Sequence, residues 1–212
     1  MDNLMTNDKT IRAVIFDLGG VLIRSLDKTP RRKWEIELGL PENQLSHLAF
    51  GSDMAQRAML GDATEEDVWR DVANTLNLNA DQMRDLVADF WSCESLNIEL
   101  ANFARALRPK YQTAILSNAF SSARQAVTEN FQLDEIFDPM IISGEVRLAK
   151  PDARIFHLTA QRIGVAPHEC VFIDDVHENI ESARAVGMRG VQFVNTVQAI
   201  AEAQQYLEIS LQ

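Results

Sequence analysis

Apolar residues fall along this chain in two different rhythms. Short, nearly continuous apolar runs occupy 11–18 (IRAVIFDL), 113–117 (TAILS), 140–143 (MIIS), 170–174 (CVFID) and 190–194 (GVQFV). Each is rich in β-branched residues and closed by Gly, Pro, Asn or Asp. Short runs without polar alternation predict strands covered on both faces, the habit of a parallel sheet. Between the last four runs the apolar positions return at helical intervals, over 119–131, 155–163 and 180–186, the last stopped by Gly187. Strands alternating with helices predict an α/β domain, a doubly wound, Rossmann-like core around a parallel sheet.

The interval between the first two runs has a different texture. Residues 24–108 carry no strand signal and several helix starts. Pro41 is predicted as a first helical residue ahead of Glu42-Asn43-Gln44-Leu45. Thr64 reads as an N-cap followed by the acidic turn Glu65-Glu66-Asp67. Asn79 and Gln82 have capping-box spacing, with Leu86, Val87, Phe90 and Trp91 following at helical intervals. The predicted division is a core from 1–23 and 109–212, and a helical cap from 24–108 whose last helix leads back into the core. Ligands of open α/β sheets bind beyond the C-terminal strand ends. An insert directly after the first strand therefore stands over that position like a lid.

Four polar features fall at those strand ends. Asp17 closes the first run, Ser117-Asn118 the second, and Asp174-Asp175 the fourth, while Lys150 stands just before Pro151-Asp152. A parallel topology brings all of them to one edge. Three carboxylates, Asp17, Asp174 and Asp175, converge only around positive charge, and a hard divalent ion such as Mg²⁺ is the usual partner of oxygen ligands. Lys150 adds a second cation. Ser117, Asn118 and the start of the next helix offer hydrogen-bond donors to an anion. The combination suits a phosphate-handling site with a carboxylate available as nucleophile.

These residues, as AVIFDLGGVL, ILSN, AKPD and VFIDDVHEN in that order, resemble the four motifs of the haloacid dehalogenase-like (HAD) superfamily, and the likeness covers nearly the whole chain. The helical insert resembles the family's C1-type cap. The run DLGGVL is similar to α-glucose-1-phosphate phosphatases and to the phosphatase domain of soluble epoxide hydrolases. The resemblance implies a Mg²⁺-dependent phosphohydrolase of small phosphorylated metabolites, with sugar phosphates one candidate class. It implies Asp17 as nucleophile and metal ligand, Asp175 as second ligand with Asp174 close behind, and the Gly19 carbonyl as a further ligand. By the same resemblance, Ser117, Asn118 and Lys150 are expected to hold the phosphoryl group, and Asn179 to anchor Lys150 or a metal-bound water. Most phosphatases of the family carry a second aspartate where this chain has Gly19, so the backbone ligand survives while the side-chain acid and base is absent. Two other readings stay open: a catalytically weak or inactive binding or regulatory protein, and a 2-haloacid dehalogenase.

Composition narrows the remaining classes. With 212 residues, 46% hydrophobic and 24% charged, the chain is long enough for a real core and is not a disordered one. A net charge of −11 speaks against nucleic-acid and membrane-surface partners. Cys93 and Cys170 are far apart and form no CxxC pattern, so neither a zinc site nor a disulfide framework is expected. The polar start of the chain and the lack of a long apolar run predict a cytoplasmic protein, monomer or homodimer. Within the insert, 53–99 holds 11 acidic residues against 3 basic ones. The cationic exception is Arg24, Lys28, Arg31, Arg32 and Lys33, of which Arg24 is the candidate for drawing in an anionic substrate.

Overall fold

The computed structural model describes residues 10–207. In chain order the elements are β1 (Ala13–Phe16), β2 (Ile23–Ser25), α1 (Thr29–Glu37), α2 (Gln44–Gly51), α3 (Asp53–Met59), α4 (Glu65–Leu76), α5 (Ala80–Ser92), β3 (Glu94–Leu96) and α6 (Ile98–Leu107). There follow β4 (Gln112–Ser117), α7 (Ala123–Phe131), β5 (Met140–Ile142), α8 (Ser143–Val146), α9 (Ala153–Ile163), β6 (Cys170–Asp174), α10 (His177–Ala185), β7 (Arg189–Gln192) and α11 (Thr196–Tyr206). Five strands make one parallel sheet in the order β5-β4-β1-β6-β7. The earliest strand is thus the central one, with β4 and β6 on either side.

Successive side chains of a strand point to opposite faces, and the apolar runs use both. Val14 and Phe16 of β1, Ile115 of β4 and Val171 and Ile173 of β6 pack with α6, α7 and α11. Ala13, Ile15, Ala114, Leu116 and Phe172 pack with α9 and α10 on the other face. No position of β1 is left exposed, which is why the sequence shows no alternation there. No helix of the described residues is long and apolar enough to cross a membrane.

Helices α1, α2, α4 and α5 form their own apolar cluster around Leu45, Trp69, Val72, Leu86 and Phe90, while α3 packs through Ala55 and Ala58 with Val68 and Phe120. The capping boxes at Thr64 and Asn79 are both formed. Helix α6, at the end of the 24–108 interval, belongs instead to the sheet's cluster through Leu100, Phe103, Ala104 and Leu107.

Three details depart from the sequence expectation. First, the interval does contain strand: β2 and β3 pair antiparallel, Ile23 with Leu96 and Ser25 with Glu94. Three-residue, half-buried strands are too short to show a period. Second, α2 begins at Gln44, not at Pro41. Asn43 takes a left-handed φ of 65°, and the Gln44 N–H closes a turn on the Pro41 carbonyl at 3.2 Å. Third, α7 begins at Ala123 rather than 119, because the preceding residues form a loop whose Phe120 packs into a cluster with Ala55, Ala58 and Val68.

Candidate active site

The switch point lies at the C-terminal end of β1. Asp17 follows that strand directly, and its N–H donates to the Ile173 carbonyl of β6 at 2.9 Å. The residue is only 6% exposed. Oδ1 accepts from the Leu18 N–H at 2.7 Å and from Lys150 Nζ at 2.8 Å. No hydrogen bond among the described residues engages Oδ2, which leaves that oxygen open toward the cavity that Asp17 lines.

Lys150 is equally buried. Its ammonium donates to Asp17, to Asp174 Oδ2 at 2.6 Å and to the Leu116 carbonyl of β4 at 3.1 Å. Its backbone is clamped by Asn118. The Asn118 amide donates to the Lys150 carbonyl, and its oxygen accepts from the Lys150 N–H, both at 2.8 Å. Asn118 therefore does not cap the following helix; its polar atoms fix the lysine loop against the end of β4. Ser117, the last residue of β4, is 3% exposed and lines the same cavity.

Asp174 is saturated. Oδ1 accepts from the Val176 N–H at 2.7 Å, and Asn179 Nδ2 lies 3.1 Å from both oxygens, with Lys150 on Oδ2. Asn179 thus reaches Lys150 only through Asp174. Asp175, by contrast, is exposed at the cavity's edge. Ligand atoms of Asp17, Asp174 and Asp175 lie within 4.8 Å of one another. Gly20, at φ +81°, makes room for this: a Cβ there would run into the Asp175 carboxylate, with Cγ at 2.9 Å. At Gly19 a Cβ would meet nothing within 4 Å.

The electrostatics follow from burial. Loss of water pushes Asp17 up to about 6; Lys150 pulls the other way, and Asp174 adds to the rise. Partial loss of water at the cavity's edge also raises Asp175, exposed though the residue is, and Asp174 adds to the rise. For Lys150, burial works against the ammonium, but Asp17 and Asp174 together outweigh it and hold the pKa above the ordinary lysine value. Three carboxylates facing one ammonium leave the cluster anionic, a setting that invites a cation.

Above this floor lies a cavity of about 1130 Å³ shared between the sheet end and the helices of the insert. Arg24 borders it, half-buried, with its guanidinium 5.7 Å from the centre of the Phe193 ring. The more deeply placed cation is Arg31. It is 6% exposed, lies 3.8 Å over the Phe90 ring, donates to the Phe90 carbonyl at 3.0 Å and pairs with Glu94. The basic cluster gave no sign that Arg31 differs from its neighbours, because its partners are about sixty residues away. Glu65 was likewise legible only as an acidic first-turn residue. It accepts from the indoles of Trp69 at 3.1 Å and Trp91 at 2.9 Å and from the Ser122 hydroxyl, tying insert to sheet.

The model of the haloacid dehalogenase-like hydrolases matches residues 11–187. Among curated relatives, bifunctional epoxide hydrolase 2 of Sus scrofa is 29% identical over 221 residues, covering 95% of this chain and 40% of that protein. Fructose-1-phosphate phosphatase YqaB of Escherichia coli is 27% identical over 192 residues, covering 84% of this chain and 94% of that one. The chain spans 34%, 20% and 40% of the lengths of the first three curated relatives it matches. A HAD family enzyme of Bacteroides thetaiotaomicron, crystallised with magnesium and inorganic phosphate, superposes with a TM-score of 0.72 at 23% identity, covering 86% of this chain and 93% of that one. At that identity the likeness speaks for the fold alone.

Proposed function

The chain belongs to the haloacid dehalogenase-like hydrolases, and from that premise we propose that it hydrolyses phosphate monoesters of small metabolites through Asp17. The carrying observation is the division of labour on one carboxylate: Oδ1 is pinned by Lys150 and the Leu18 N–H while Oδ2 stays uncommitted at the cavity floor. A nucleophile needs one such free lone pair in a fixed direction.

Asp17 Oδ2 attacks phosphorus, the P–O bond to the leaving group breaks, and a phospho-aspartate forms. Water then attacks that phosphorus, releasing inorganic phosphate and restoring the carboxylate. Lys150 offsets charge on Asp17 and on the transferring group. Asp174 and Asn179 hold the lysine in place, and the Ser117 hydroxyl at the same floor is available to a phosphoryl oxygen. Asn118 acts at one remove by fixing the Lys150 backbone. With glycine at 19, the departing oxygen leaves without a proton from that position.

The acidic cluster and the room left by Gly20 fit a hard cation. Asp17, Asp175 and the Gly19 carbonyl would hold Mg²⁺, while Asp174, with both oxygens occupied, stands behind them. When bound, the ion supplies the positive charge that lets several carboxylates and an anionic substrate share one site. A cytoplasmic setting accords with the two buried free thiols, Cys93 and Cys170.

The test is release of phosphate from p-nitrophenyl phosphate with and without Mg²⁺, beside Asp17→Asn. Turnover that needs both the ion and Asp17 is the expected result. Inactivity across a broad panel of phosphate esters would sink the proposal and favour the binding-protein reading that Gly19 keeps open.

A further inference from the structure

The phosphoryl group needs only the floor of the cavity. The cavity, about 1130 Å³ and only partly enclosed, is as large as the upper end of ordinary small-molecule sites, ~300–1,000 Å³. Space therefore remains beyond the phosphoryl position for the leaving group, and the walls say what kind. Phe50 of α2, Met59 of α3, Trp91 of α5, Phe120 of the β4–α7 loop and Phe131 of α7 all line it. Phe50 joins Trp91 and Phe120 into one surface, with ring centroids at 6.0 Å and 6.2 Å.

Several polar side chains of the walls are already paired with one another, whereas Arg24 and Asn130, which also line the cavity, make no side-chain hydrogen bond among the described residues. Trp91 turns its indole N–H to Glu65 Oε1, so its carbon rings remain for the cavity, and the second Glu65 oxygen accepts from Ser122. Across the cavity, Arg31 donates to the Phe90 carbonyl and to Glu94, whose Oε1 also accepts from the Ser25 hydroxyl at 2.8 Å. A polyhydroxylated leaving group lying along the Phe50–Trp91–Phe120 wall would bury donors and acceptors against partners that are taken, which is penalised. An alkyl or aryl group loses no hydrogen bonds there and gains burial.

We infer that the substrate is the phosphate monoester of a predominantly apolar alcohol, with an alkyl chain or aromatic group lying along the Phe50–Trp91–Phe120 wall. The phosphate end of this inference rests on the phosphatase reading; the apolar end rests on the wall alone.

The test measures binding, so that it does not depend on turnover. n-Alkylphosphonates from ethyl to octyl, whose P–C bond is not hydrolysed, are titrated calorimetrically into the full chain with Mg²⁺. Each methylene should lower Kd by up to about fourfold. Propylphosphonate should bind more tightly than 2,3-dihydroxypropylphosphonate. Met59→Gln, nearly isosteric and partly exposed, should reduce the slope of log Kd against chain length. A flat series, tighter binding of the dihydroxy compound, or a slope indifferent to Met59→Gln each overturns the inference, even if p-nitrophenyl phosphate is turned over. A steep, Met59-sensitive series in a protein that releases no phosphate from any ester supports the apolar pocket and removes the phosphatase reading.

Discussion

Placing an aspartate at position 19 probes the step that the chain leaves without a side chain. The site accepts it: a Cβ at Gly19 meets nothing within 4 Å, and the position lines the cavity two residues after Asp17. The backbone there is not left-handed, unlike that of Gly20, so no strain opposes the change. Loss of glycine's freedom in the unfolded chain should leave stability level or raise it by up to about 1 kcal/mol. The kinetic effect should depend on the leaving group. Apart from Asp17 and Asp175, which would hold the ion, the carboxylates bordering the cavity are engaged: Glu65 by two indoles and Ser122, Glu94 by Arg31 and Ser25. Neither is free to protonate a departing alkoxide. A positioned acid contributes about 10²–10⁴-fold, or ~2.7–5.5 kcal/mol of barrier. Gly19→Asp should therefore raise kcat/KM for alkyl phosphates by a factor in that range and barely change it for p-nitrophenyl phosphate, whose leaving group departs as a stable anion. The assay is kcat/KM across aryl and alkyl phosphates at saturating Mg²⁺, plotted against leaving-group pKa. The wild-type line should be steep and the variant's shallow. Parallel lines would refute the reasoning, because the new carboxylate would then act on every ester alike, through charge rather than proton transfer.

Two further outcomes follow from the ion network. Lys150→Ala leaves Asp17 and Asp174 buried and facing each other, and removing one partner of a buried pair costs about 3–5 kcal/mol. Urea unfolding should register that loss, adding Asp17→Asn should recover part of it, and unchanged stability in the single variant would contradict the geometry. Asp152, at the start of α9, is held down to about 2 by the Arg154 side chain and then by its backbone N–H. Its folded pKa lies below the ordinary value of 3.8, so its stabilising effect is present above that value and is lost as pH falls toward 2. Thermal midpoints between pH 4 and pH 2 should fall further for the wild type than for Asp152→Asn; equal falls would count against the pairing.

Much of this site was legible because the sheet does the assembling. Asp17, Ser117 and Asp174 sit at the ends of three apolar runs, and parallel strands with β1 at the centre put such ends side by side whatever their separation in sequence. What stayed hidden depends on partners distant in the chain. Nothing local marks Asn118 as the clamp of Lys150, Arg31 as the buried member of a basic cluster, or Glu65 as the knot between two indoles and Ser122. The β2–β3 pair escaped notice because three half-buried residues carry no period. Asn43 in a left-handed turn, rather than the proline before it, sets the start of α2.

The β2–β3 pair also has a consequence for how such a molecule can change over evolutionary time. Ser25 and Glu94 are direct partners in antiparallel register, so the chain leaves for α1 and returns from α5 through neighbouring positions, about 5 Å apart in such a pair. Everything between them is a cassette plugged into one socket. Its contents could be lengthened, shortened or exchanged without moving Asp17 or the sheet. One constraint would travel with any exchange: the replacement must offer new packing to Phe120 and a new acceptor to Ser122, because the socket's rim is built partly from the loop that follows Ser117.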